Sequence, residues 1–281
     1  MEPLSKFCHP GTEYRDEMVS ASPSVSLRVV TFSPPRPSKN PPVVFVPGWI
    51  TQMNSWQEVL RALTKDFTVY YIETREKISS HVKGKVAYSV EALAKDIAAF
   101  ISNHGLKKNG YILFGSSLGA TAILDACRFI QQNPLCLVLI GPNAVFRVPK
   151  FGMVIIHAFY PGFYMIIKPF IKWYLKNFRL NTDADYAQYL KYCRNLDAAD
   201  PWKLKRAALA FSKYKVWDLL DTIDVPTLIV GASKDMLHEP TNLERMVSMM
   251  PNATYLDMET NKKTHSEQMV DAMRQYIARL K

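Results

Sequence analysis

The sequence predicts an α/β chain built on a mostly parallel sheet with helices on both faces. Three features point there. Short runs of apolar residues alternate with longer segments of helical period. The short runs are apolar at nearly every position, as in strands buried on both faces. Proline-, glycine- and serine-containing turns separate the two kinds of segment.

Taken in order, the first twenty or so residues show no clear period and read as a loose tail. Ser26–Phe32 alternates weakly, as a strand would. Pro34, Pro35, Pro37, Pro41 and Pro42 then mark a loop. Val43–Val46 is the first wholly apolar strand. Trp56, Val59, Leu60 and Leu63 recur at helical spacing. Thr68–Ile72 is the next strand. Ser89 can cap a helix whose Val90, Leu93, Ile97 and Ile101 share one face. Tyr111–Phe114 and Cys136–Ile140 are strands that flank a helix over Leu118–Ile130. Further on come a strand at Thr227–Val230, a helix at Asn242–Met250 and a strand at Thr254–Leu256. The closing helix, Glu267–Leu280, turns Val270, Met273, Ile277 and Leu280 inward. Between Asn143 and about Val216 only helical and turn patterns occur. That segment reads as a helical cap, residues 144–216, inserted into a core made of residues 1–143 and 217–281.

Composition bounds the function. The chain has 281 residues, 48% of them hydrophobic and 21% charged, which is enough to bury a core and excludes a disordered chain. Cys8, Cys127, Cys136 and Cys193 lack metal-ligand spacing and read as buried or free thiols in a reducing compartment. The N-terminal segment mixes charges and has no apolar signal region. A cytoplasmic protein is expected, with contact at a membrane surface as an extension.

The net charge is +10, and six of the basic residues (Arg147, Lys150, Lys168, Lys172, Lys176, Arg179) fall in residues 144–182, which hold no acid. So apolar a stretch suits a lipid surface better than nucleic acid. Phe151–Ile171 cannot span a bilayer, because it lies between two strands of one sheet and Pro161-Gly162 divides it. Pro169 is read as the start of a helix. Lys172, Lys176 and Arg179 line one side of it, Lys168 extends that row, and Phe170, Ile171, Tyr174 and Phe178 lie mostly on another. Two readings stay open. The helix lies on an anionic membrane, or it covers the acyl pocket with its lysines merely solvated.

Gly115-Ser116-Ser117-Leu118-Gly119 fits G-x-S-x-G between a strand and a helix. A nucleophilic serine must stand exposed at the sheet's carboxyl edge. A sharp strand-to-helix turn achieves that, and the two glycines relieve its crowding. Ser117 is the expected nucleophile, and a hydroxyl needs a base. His9 is in the tail, His81 in a loop and His104 at a helix end. His157 is expected to be packed within the cap, and His238 follows Asp235 too closely to face it. His265 remains, in a polar loop before the closing helix. Asp235, after the Thr227–Val230 strand, is the expected orienting acid, in the chain order Ser…Asp…His. Asn143 occupies the competing position and cannot supply a charge. The oxyanion hole is expected from the backbone N–H groups of Leu118 and Trp49, the latter in the turn Pro47-Gly48-Trp49-Ile50.

With these motifs in this order, residues 40 to 281 resemble the α/β-hydrolase family, in the group with lipases, carboxylesterases and monoacylglycerol lipases. The resemblance implies an eight-stranded sheet, a cap after the sixth strand, acyl transfer to water and no metal or organic cofactor. Serine at the elbow separates the chain from the dehalogenase and epoxide hydrolase branches. Two departures stand out. Pro47-Gly48 replaces the His-Gly of many relatives. Glu73–Ser80 keeps Arg75 and Ser80 of the pattern D-x-R-G-x-G-x-S but neither glycine. The expected reaction is hydrolysis of a small-molecule acyl ester, lipid esters included. An acyltransferase or cofactor-free perhydrolase would use the same triad. A non-catalytic ligand-binding module would be marked by a lost triad member, and none is lost.

Overall fold

The computed structural model describes residues 2–280 apart from 109, 147–149, 181, 183–185 and 235–239, and leaves out the side chains of 150–152, 179 and 240. A single sheet forms the middle layer. Its main path runs β1 (Glu13–Ser22), β2 (Val25–Ser33), β4 (Val69–Glu73), β3 (Val43–Val46), β6 (Ile112–Ser116), β7 (Cys136–Ile140), β8 (Thr227–Gly231) and β9 (Ala253–Asp257). The two-residue β5 (His81–Val82) pairs with β2 off this path. Pairing is antiparallel from β1 to β4 and parallel from β4 to β9.

The wholly apolar strands behave as their composition requires. β3, β6, β7 and β8 are buried at every position. Successive side chains leave a strand on opposite faces, so each strand feeds two cores. Val44, Val46, Leu113, Leu137 and Leu139 pack under α2 (Val90–Asn103), α3 (Leu118–Ala126) and α8 (Pro240–Met249). Val43, Phe45, Ile112, Phe114 and Val138 pack under α1 (Gln57–Leu63) and α10 (Glu267–Arg279). Ser89 caps α2 as its position suggests, its side chain accepting from the Ala92 N–H at 3.2 Å. The cap comprises α4 (Lys150–Ala158), α5 (Tyr164–Tyr174), α6 (Tyr186–Asp197) and α7 (Pro201–Phe211), all between β7 and β8.

Several expectations are corrected. The supposed N-terminal tail contains β1, in register with β2 from Glu13↔Ser33 onward. β1 is mostly exposed, so it carries no apolar alternation, and its place is fixed by the backbone ladder. His81 belongs to β5 rather than to a loop. Pro169 sits inside α5, which begins at Tyr164 after a short helical turn at Pro161–Phe163. His157 is exposed, with Nδ1 2.9 Å from the Met153 carbonyl, and is not packed in the cap. Lys168 and Lys172 both turn to Asp197, at 2.9 and 2.8 Å. The outward side of the helix is apolar: Met165, Ile166, Phe170 and Trp173 are all exposed. No described helix is long and apolar enough to cross a membrane.

Candidate active site

Parallel strands end at one edge of the sheet, so the loops after β3, β6, β7, β8 and β9 open on the same side. The loops after β3, β6, β7 and β9 carry Trp49, Ser117, Asn143 and His265 respectively, and Asp235 follows β8 in the sequence. Asp235 itself lies outside the described residues.

Ser117 links β6 directly to α3. Its backbone has φ 49° and ψ −117°, a left-handed conformation that a side-chain-bearing residue holds only when its surroundings enforce it. The enforcement is visible. Its N–H donates to the Ile140 carbonyl at 2.8 Å, and its carbonyl accepts from the Thr121 N–H and Oγ1 at 3.0 and 3.1 Å. Gly119 allows α3 to press on the end of β3, since a Cβ there would lie 2.2 Å from the Val46 oxygen and 2.5 Å from the Pro47 oxygen.

The side chain of Ser117 is half-buried, and its Oγ accepts from Asn143 Nδ2 at 3.0 Å. Asn143 is held by Thr121, whose Oγ1 accepts from the Asn143 N–H at 2.8 Å. Sequence reasoning considered Asn143 only as a failed acid. Its amide is a donor, and here it faces the candidate nucleophile. Leu118 is the first residue of α3, where the backbone N–H groups have no intrahelical acceptor. The β3 loop lies against the elbow, for a Cβ on Gly48 would come within 3.4 Å of the Ser117 Cβ and the Ser116 carbonyl. Trp49 is next in the chain. Its ring packs edge-on to Phe211 of the cap at 5.5 Å, and its Nε1 is buried without a partner among the described residues.

His265 closes the short helix α9 (Asn261–Thr264) rather than standing in an open loop. Its ring stacks on Trp56, 4.1 Å between centroids, and Trp56 in turn meets Phe45 of β3 and Phe114 of β6. Nδ1 lies 2.9 Å from the Asn261 carbonyl and 3.0 Å from Thr264 Oγ1. A carbonyl only accepts, so the contact with Asn261 is a hydrogen bond in the tautomer that carries the proton on Nδ1. Ser117, Leu118 and Trp49 thus share one corner, and His265 stacks on Trp56, which packs on β3 and β6, the strands that lead into that corner.

Beneath this corner lies Glu73–Ser80. Arg75 forms a two-pronged pair with Asp96, both contacts at 2.6 Å, and a third bond to the Ala87 carbonyl at 2.8 Å. Burial pushes the Asp96 carboxyl above its ordinary range, and Arg75 pulls it part of the way back. Lys77 is also buried, a feature the sequence gave no reason to single out. Among the described residues no cluster of three His, Cys, Asp or Glu could hold a metal ion.

Residues 43–274 match the model of the alpha/beta hydrolase family. No curated protein matches in sequence. Among solved structures the chain is similar to a thermophilic esterase from Thermogutta terrifontis, at 19% identity and a TM-score of 0.74, covering 95% of this chain and 99% of that one. It is also similar to a hydrolase from Pseudomonas aeruginosa, at 16% identity and a TM-score of 0.75, covering 95% and 98%. A bromoperoxidase from Bacillus anthracis matches at 17% identity and a TM-score of 0.74, covering 94% and 100%. These likenesses establish the fold, and the family match spans most of the chain. The chain belongs to the alpha/beta hydrolase family.

Proposed function

We propose that the chain is a serine hydrolase of carboxylic esters, with Ser117 as nucleophile, His265 as general base and Asp235 as the acid that orients His265. The observation that carries this is the conformation of Ser117: a strained residue at a helix N-terminus, with the Gly48–Trp49 turn against it. Ser117 Oγ attacks the acyl carbon while His265 Nε2 takes its proton. Negative charge then develops on the carbonyl oxygen, which the N–H groups of Leu118 and Trp49 receive. His265 returns the proton to the leaving alcohol, and water releases the acyl group by the same route in reverse. The stack on Trp56 sets the plane of the imidazole, and acceptors on the Nδ1 side, the Asn261 carbonyl and in this reading Asp235, favour the tautomer that leaves Nε2 free to take the proton.

Lipid-like esters fit this reading, because the cap displays an apolar and aromatic face. The expected contact with anionic membrane then rests on that face and on exposed Lys176. Lys168 and Lys172 are taken up by Asp197. Trapping the acyl-enzyme tests the reaction. A panel of p-nitrophenyl esters from acetate to laurate is offered to wild-type protein, quenched in acid and digested. The acyl mass is expected on the peptide containing Ser117. Turnover with the acyl mass elsewhere would refute the assignment.

A further inference from the structure

Lys77 is a charged side chain held at 3% exposure. Its ammonium donates to the carbonyls of Gly48 at 2.8 Å and Thr51 at 2.9 Å. Those two carbonyls bracket Trp49 and Ile50. Ile50 has φ 51°, a left-handed conformation that a β-branched residue does not hold unaided. The turn therefore needs an external brace, and Lys77 supplies two of its three donors to it. Burial pushes the Lys77 ammonium below its ordinary range, while the nearby charges of Glu76 and Glu73 support it.

The cap holds the same region from the other side. Asn195 of α6, itself buried, accepts from the Gln52 N–H at 3.1 Å. Lys203 of α7 donates to the Lys77 and Ser80 carbonyls, both at 2.6 Å. A turn that lies against Ser117 is thus braced by one buried ammonium, with Asn195 holding the Gln52 end of the turn and Lys203 holding the Lys77–Ser80 segment that carries the ammonium.

We propose that Lys77 is a positioning residue for ester cleavage: its hold on the Gly48 and Thr51 carbonyls keeps the Trp49 N–H aimed at the oxyanion, and Asn195 and Lys203 make that aim depend on a seated cap. This rests on the Ser117 reading above. A backbone donor gains its catalytic value from direction, so a loosened turn slows the chemical step without weakening ground-state binding.

The test uses the full chain and p-nitrophenyl acetate, too small to need the cap for binding. Lys77→Met keeps the length and removes the donors. Its kcat is expected to fall roughly 10- to 100-fold, with KM little changed, because removing one oxyanion donor outright costs about 100- to 1,000-fold. Phosphonylation of Ser117 by a fluorophosphonate should slow by a similar factor. Asn195→Ala, which leaves the Lys77 contacts in place, should give a smaller fall of the same kind, and it serves if Lys77→Met does not fold. Both variants turning over at the wild-type rate would overturn the proposal. So would losses that merely track the folded fraction seen in thermal unfolding. Wild-type protein that neither cleaves ester nor reacts at Ser117 would instead overturn the serine-hydrolase reading, and this inference with it.

Discussion

Asn143→Asp exchanges one atom facing Ser117 Oγ and reverses its electrostatic sense. In the native site Nδ2 donates to Oγ at 3.0 Å. In the proposed mechanism this leaves the hydroxyl proton for His265 and favours negative charge on Oγ. With aspartate, an anionic oxygen stands there instead. Two full charges about 3 Å apart at an effective dielectric constant of about 20 repel by about 5 kcal/mol. Oγ carries only part of a charge in the transition state. Taking about half of it gives about 2–3 kcal/mol, or roughly 30- to 150-fold in rate. Asn143→Ala removes the donor without adding charge, and about 1 kcal/mol, roughly fivefold, is expected. The backbone of Asn143 keeps its bonds to Thr121 in both variants, so the fold should persist. The assay is kcat on p-nitrophenyl acetate, with the rate of Ser117 phosphonylation as a second readout. The ratio of variant to wild type should rise toward acid pH, because a protonated carboxyl donates again. Asn143→Asp turning over as fast as wild type would show that this side chain does not face the charge developing on Ser117.

Other perturbations follow from the same geometry. Gly119→Ala would set a methyl group against the Val46 and Pro47 carbonyls, at 2.2 and 2.5 Å before relaxation, and these are backbone atoms that cannot rotate away. Ester turnover should be lost, with a lower midpoint in thermal unfolding; wild-type kinetics would contradict the packing described. Arg75→Met leaves the Asp96 carboxyl buried without its partner and should cost about 3–5 kcal/mol in urea unfolding. Burial raises the Asp96 pKa in the folded state, so the charged form is the costly one. The deficit should therefore be smallest at acid pH and grow as pH rises through the folded pKa; a deficit that shrinks with rising pH would refute this. At the cap, Phe170→Ser with Trp173→Ser should abolish co-sedimentation with phosphatidylglycerol vesicles, whereas Lys168→Glu with Lys172→Glu should only weaken it. The reverse ranking would return the contact to the basic row.

The elements legible in the sequence were those whose side chains meet a one-sided or two-sided apolar environment. β3, β6, β7 and β8 are buried throughout and read as unbroken apolar runs, and α2 announced itself by its stripe and its Ser89 cap. β1 was missed because a mostly exposed edge strand is specified by backbone pairing, which leaves no pattern in side-chain polarity. The start of α5 was misplaced because Pro169 was read as a helix-initiating residue. The preceding Tyr164–Lys168 already continues the helical turn at Pro161–Phe163, so the proline falls mid-helix. The tight turn at Ser117 was legible because its geometry leaves no room for a Cβ at Gly115 or Gly119. Asn143 and Lys77 were not. An asparagine after a strand and a lysine in a loop are ordinary until the fold shows that one faces Ser117 Oγ and the other is buried against Gly48.

Covalent labelling of the nucleophile addresses the central claim most directly. Wild-type chain, Ser117→Ala and Ser116→Ala are each treated with a fluorophosphonate, and the adduct is mapped by peptide mass while ester turnover is followed in parallel. The adduct should sit on Ser117 in the wild type and in Ser116→Ala, which keeps much of its turnover. Ser117→Ala should take up no label and cleave no ester. Full turnover by Ser117→Ala, or an adduct confined to another residue, would contradict the account.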